Sequence, residues 1–93
     1  MAIVVLPTPL RPYASQNKQV RVEGENVREG LEDLVRQYPG LQEHLFDAEG
    51  TLRPFVHLFL DGVEVPEEER ADVRLKDTSR LMLVPSIAGG GVA

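Results

Sequence analysis

Phe55-Val56-His57-Leu58-Phe59-Leu60-Asp61-Gly62-Val63-Glu64-Val65 reads as two strands joined by a tight turn. The first six residues are aromatic and β-branched or aliphatic, which suits a pleated surface, and Asp-Gly accepts the positive φ angles of a two-residue hairpin. Side chains alternate along a strand, so Phe55, His57 and Phe59 point to one side and Val56, Leu58 and Leu60 to the other. The wholly aliphatic set suits a core. This assigns Phe55, His57 and Phe59, with Met82 from a later strand, to an open sheet face.

Two further strands lie upstream of the hairpin. Ala2-Ile3-Val4-Val5-Leu6 is a continuous apolar run that predicts a central strand buried on both faces. Pro7, Pro9 and Pro12 end it in a stiff surface loop, since each proline removes a backbone donor. Gln19-Val20-Arg21-Val22-Glu23 alternates polar and apolar, the period of a half-buried strand, so the two strands form a wide hairpin. Asn26 is placed to cap a helix, with Glu29 three residues on to return a bond to the cap's own N–H. Val27, Leu31, Leu34, Val35 and Tyr38 then mark one helical face, which Pro39-Gly40 ends. Leu41, Leu45 and Phe46 predict one more short turn under the sheet. Downstream, Glu67-Glu68-Glu69-Arg70 reads as a solvated connection. Leu81-Met82-Leu83-Val84-Pro85 is the last strand, placed beside the first. The order strand, strand, helix, strand, short strand, strand predicts an α+β fold of the β-grasp, ubiquitin-like type: a mixed sheet of four to five strands on one main helix.

The chain has 93 residues, enough for one domain but not for two cores. We read residues 1–87 as that domain and residues 88–93 as a flexible glycine-rich tail. A net charge of −5 opposes nucleic-acid binding, which relies on Lys and Arg displacing counterions from phosphates. It favours a more basic partner. With 42% hydrophobic and 27% charged residues and no long apolar run, no membrane span is expected. The first residues lack the basic leader of a signal peptide, and cysteine is absent, both of which point to the cytoplasm.

Catalytic groups are scarce. His44 and His57, without cysteine, offer no zinc-ligand spacing. Ser15, Ser79 and Ser86 show no pairing with a histidine and an acid, and Glu67, Glu68 and Glu69 lie in an exposed run where nothing would raise a pKa. No Gly-Lys-Ser/Thr phosphate loop is present. The chain is therefore expected not to be an enzyme and to bind neither metal nor cofactor itself.

Ala88-Gly89-Gly90-Gly91-Val92-Ala93 is the remaining feature. Glycine makes up about 7% of average usage, so three in succession after a core strand call for a reason. Lacking a Cβ, such a segment can be drawn extended through a narrow channel, presenting a carbonyl carbon without a side chain in the way. Ordering it costs roughly 1–2 kcal/mol per residue, which implies a dedicated partner enzyme.

These features together resemble the MoaD/ThiS family of sulfur carrier proteins, and within it the CysO type. The resemblance rests on Pro7-Thr8 with Leu10-Arg11-Pro12 after the first strand, Arg53 with Phe55-Val56 opening the third, and Ile87-Ala88-Gly89-Gly90 at the end. It implies adenylation of a terminal glycine by a ubiquitin-activating-like (MoeB/ThiF-like) adenylyltransferase that uses ATP and Mg, followed by conversion to a thiocarboxylate. It further implies sulfur transfer to an acceptor enzyme, such as a pyridoxal-phosphate (PLP)-dependent cysteine synthase, with a JAMM-type metalloprotease as a further partner. Carried over, the sulfur-acceptor carboxyl belongs to Gly90, with Gly91 as the alternative. Gly91, Val92 and Ala93 depart from the commonest pattern, in which glycine is last, and this implies proteolytic trimming before activation. Three other readings remain: a ubiquitin-like modifier joined to lysines, a molybdopterin- or thiamine-type sulfur donor subunit, and a non-catalytic binding module.

Overall fold

Alternating apolar residues close on one another as a single sheet in the computed structural model, which describes residues 2–49, 52–53 and 56–85. The strands are β1 (Ala2–Val5), β2 (Gln19–Val22), β3 (Val56–Leu60), β4 (Val63–Glu64) and β5 (Arg80–Pro85), and the α-helices are α1 (Val27–Gln37) and α2 (Gln42–Leu45). The spatial order is β2-β1-β5-β3-β4. The last strand lies parallel to the first, with Ile3, Val4 and Val5 opposite Arg80, Leu81 and Met82, and every other pairing is antiparallel. This is the expected β-grasp sheet, with five strands.

One face of the sheet forms the core. Val4, Val20, Val22, Val56, Leu58, Leu81 and Leu83 pack against Val27, Leu31 and Leu34 of α1 and against Leu41 and Leu45. Complete burial of a side chain of this size contributes roughly 1.5–3 kcal/mol, so these contacts dominate the stability. In β1 the apolar run is buried on one face only. Ala2 and Val4 are enclosed while Ile3 and Val5 are half-exposed, because the helical layer covers a single face. A Cβ on Gly30 of α1 would stand 2.7 Å from Leu75 Cδ1 and 3.5 Å from Val22 Cγ2. The glycine therefore admits the Leu75 side chain between helix and sheet.

The N–H groups of the first three residues of α1, which have no partner inside the helix, find acceptors. Val27 and Arg28 donate to the carbonyls of Val73 and Arg70 at 2.9 and 3.1 Å and Glu29 to Asn26 Oδ1 at 2.8 Å, and Gly30 makes the first bond within the helix, to the Asn26 carbonyl at 3.0 Å. The return bond from Glu29 goes to the Glu25 N–H at 2.8 Å, one residue earlier than expected. Further along α1, Asp33 Oδ2 accepts the Glu23 N–H, and Gln37 donates to the Arg21 carbonyl at 2.7 Å. Two backbone groups of the edge strand β2 and its extension are thereby occupied, which blunts strand addition there.

The proline-bearing loop is a 3-10 helix, Thr8–Ala14, that buries Leu10 and Ala14. Arg11 Nε donates to the Leu6 carbonyl at 3.1 Å, and Tyr13 stacks on His44 with ring centroids 3.9 Å apart. The loop is thus pinned to β1 and to α2. Asp61 and Gly62, at φ 50° and 90°, make the tight turn between β3 and β4.

Candidate functional site: the open sheet face and the tail exit

The alternation that buries Val56, Leu58, Leu81 and Leu83 turns their neighbours outward. Cross-strand register then assembles them. Phe59 faces Met82, Met82 faces Val5, Val5 faces Gln19, and on the other side Phe59 faces Glu64, so one row crosses all five strands. A second row is Arg21-Ile3-Arg80, and a third pairs Val84 with His57. Met82 is 44% and Val84 38% exposed, which is high for apolar side chains on central strands. Phe59, Asp61, Gly62, Arg80, Met82 and Val84 line a shallow depression of about 450 Å³ on this face. His57 Nδ1 lies 2.9 Å from Glu64 Oε2, an exposed pairing that fixes the ring orientation next to Val84.

His57, Phe59 and Met82 are therefore brought together on the open face. Phe55 and the tail residues Ala88, Gly89, Gly90 and Gly91 lie outside the described residues. Ile3, Val5, Arg80 and Val84 complete the face, to which the sequence alone does not assign them. Val84 follows from Met82 by the period of two, whereas Ile3, Val5 and Arg80 join only through the register of β1 with β5, which is not written in either strand alone.

β5 overhangs β1. Their pairing stops at Met82, while β5 runs on beside β3 to Pro85, opposite Val56. β5 ends there, five residues before Gly90 in sequence, so Val84 and His57 are the open-face residues at the end of the sheet that precedes the tail. The Asp61-Gly62 turn lies at the opposite end, where the Asp61 N–H donates to the Arg80 carbonyl at 2.9 Å and Asp61 Oδ1 accepts the Arg80 N–H at 3.0 Å.

Ser79 and Arg53 have structural roles. Ser79 is buried, its Oγ accepting the Lys76 N–H at 2.9 Å. Arg53 donates from Nε and Nη2 to the Glu43 carbonyl, at 3.1 and 2.9 Å. A second groove of about 370 Å³ on the helical side includes Arg28, Leu31, Glu32, Phe46, Leu52 and Arg70 in its lining. Burial lowers the Arg70 pKa against the opposing pull of Glu67, Glu64 and Glu68. Among the described residues no group of three or more His, Asp or Glu side chains could hold a metal ion, and no helix is long and apolar enough to cross a membrane.

The ThiS family model matches residues 4–90. No match is found among curated proteins. In the crystal structure of the Amycolatopsis orientalis BexX/CysO complex, a chain is similar at 27% identity, with 97% of this chain and 100% of that chain covered and a TM-score of 0.83. Mycobacterium tuberculosis CysO is similar at 26% identity over 92% of this chain and 99% of that one, with a TM-score of 0.81. Small archaeal modifier protein 1 of Methanosarcina acetivorans is 25% identical over 96% of this chain and 95% of that one, with a TM-score of 0.80. A β-grasp sheet with the family's sequence pattern running from β1 to the glycines makes the chain a member of the ThiS family, a ubiquitin-like sulfur carrier of the ThiS/CysO type.

Proposed function

We propose that this chain carries sulfur as a thiocarboxylate on Gly90 and delivers it to a biosynthetic enzyme, with cysteine formation the favoured destination. The carrying observation is the path of β5. It runs through the middle of the sheet, overhangs β1 and leads within five residues from Pro85 to Gly90. Five residues span at most about 17 Å when extended, enough to enter a partner's active site while the folded domain stays outside. The family match reaching residue 90 supports Gly90 over Gly91 as the working terminus.

A carboxylate does not react with sulfide unaided. A MoeB/ThiF-like partner transfers AMP from ATP, with Mg, to the Gly90 carboxylate and releases pyrophosphate. Sulfide then attacks the acyl carbon, the bond to AMP breaks, and the thiocarboxylate is left on Gly90. The chain supplies a terminus and a docking face rather than catalytic groups, and its dependence on ATP makes the cytoplasm its site of action. Before activation the Gly90 carboxyl is held in a peptide bond to Gly91. A protease, of which the JAMM metalloproteases are the fitting type, frees it. Docking uses the open face, where Phe59, Met82 and Val84 present apolar surface and His57, paired with Glu64, lies beside Val84. Likeness to the two CysO structures supports a pyridoxal-phosphate-dependent cysteine synthase as acceptor. Likeness to the archaeal modifier supports a second reading, conjugation to lysines.

Intact-mass spectrometry tests both readings. A chain ending at Gly90, given the activating enzyme, ATP, Mg and sulfide, should gain the mass of oxygen replaced by sulfur, and the chain ending at Ala93 should not. Conjugates of higher mass that vanish when the glycines are deleted would favour the modifier. Sulfur uptake by the untrimmed chain would end the trimming hypothesis, and absence of any product from the Gly90-ending chain would end the carrier reading.

A further inference from the structure

The chain has eight arginines, and six are engaged. Arg11, Arg53 and Arg70 donate to the carbonyls of Leu6, Glu43 and Val65. Arg28, Arg36 and Arg74 pair with Glu32, Asp33 and Glu25. Only the side chains of Arg21 and Arg80 have no acceptor among the described residues. Both are exposed, and both lie in the same row of the open face, one on either side of Ile3. Two strand spacings put their Cα atoms roughly 10 Å apart. Glu23 and Asp61 border the row without reaching ion-pairing distance, and the Asp61 carboxylate is turned to the Arg80 N–H.

The two guanidinium groups without an acceptor among the described residues sit beside the apolar row Val5-Met82-Phe59, towards the Asp61-Gly62 end of the face, while Val84 and His57 lie at the other end. We propose that the partner docking here presents an acidic protein surface, with carboxylates about two strand spacings apart that receive Arg21 and Arg80 while apolar side chains cover Met82 and Phe59. A guanidinium is weakly hydrated and takes a carboxylate through two parallel bonds, so it is suited to an interface that excludes water. Two anchors at one end and a tail exit at the other also fix which way round the domain docks, which aims the tail. The net charge of −5 thus says little about this contact, which depends on the two guanidinium groups that lack an acceptor among the described residues, although Glu23, Asp61 and Glu64 lie around them. The same net charge disfavours a nucleic-acid backbone as the ligand.

This inference rests on the open face being the docking surface for activation, and its test separates the two. Adenylation of the Gly90-ending chain is followed by pyrophosphate exchange with the activating enzyme of the same host, over a range of salt. Arg21→Glu/Arg80→Glu should raise KM for the carrier by roughly ten-fold or more with kcat little changed, and should flatten the salt dependence, as expected for interfacial charge pairs. Thermal unfolding should hardly move, since both side chains are exposed. If Phe59→Asp raises KM but the double arginine variant does not, the acidic-partner proposal is overturned and the docking face stands. If neither variant changes KM, the docking reading itself falls. Tighter binding of the double variant, or binding of the unaltered chain to a single-stranded RNA probe that Arg21→Glu/Arg80→Glu abolishes, would also overturn the proposal.

Discussion

Placing threonine at two adjacent positions of β5 should give opposite phenotypes. Met82 is 44% exposed on the open face, whereas Leu83 is 1% exposed in the core. Full burial of a methionine contributes roughly 1.5–3 kcal/mol, so Met82→Thr forfeits about half of that, near 1 kcal/mol, partly offset because threonine favours strands. Leu83→Thr removes a buried side chain, worth about 2–5 kcal/mol in comparable truncations, and adds a hydroxyl without a partner at about 1–3 kcal/mol more. A difference of 1 kcal/mol moves the melting temperature of a domain this size by about 4–8 °C. Met82→Thr should therefore lower it by less than about 8 °C and Leu83→Thr by about 15 °C or more, read by circular dichroism. In the adenylation assay Met82→Thr should raise KM for the carrier by about five-fold to thirty-fold, the cost of an apolar interface residue at 1–2 kcal/mol. Equal melting losses for the two variants would refute the face assignment. An unchanged KM for Met82→Thr would refute its part in docking.

Asn26→Ala removes the acceptor for the Glu29 N–H and should cost about 1 kcal/mol, seen as a lower urea midpoint with an unchanged slope. Gly24→Ala and Gly30→Ala should differ. A Cβ at Gly24 would meet the Gly30 nitrogen at 2.7 Å and the Glu29 carbonyl carbon at 2.9 Å, backbone atoms that cannot turn aside, so a loss of about 1–3 kcal/mol is expected. At Gly30 the obstacle is the tip of Leu75, and a gain of about 1 kcal/mol in helix propensity opposes its displacement, leaving a small net change by the same urea measurement.

The elements were legible because each carries its own period. Val56-His57-Leu58-Phe59-Leu60 and Leu81-Met82-Leu83-Val84 state in their alternation which side faces a core, and Asn26 with Val27, Leu31 and Leu34 announces a capped amphipathic helix. The run Ala2 to Leu6 has no such period. Its two faces look alike in sequence and are distinguished only when one receives α1 and the other is covered by no element among the described residues. The Pro-rich segment was readable as a constrained loop, but Leu10 and Ala14 turn inward through a 3-10 helix whose seat depends on Arg11 reaching Leu6 and Tyr13 reaching His44.

The sequence by itself thus determined the strands, the helix, the glycine-bearing end and the choice of His57, Phe59 and Met82 as outward-facing, since local alternation and backbone chemistry settle these within a few residues. Only the tertiary structure decided that Arg21, Ile3 and Arg80 form one row, that Val5 continues the row of Met82 and Phe59, and that β5 overhangs β1 beside the exit. Those neighbours come from β1, β2 and β5, and long-range register is set by how three strands settle over a shared core, a condition that no single stretch of the chain encodes.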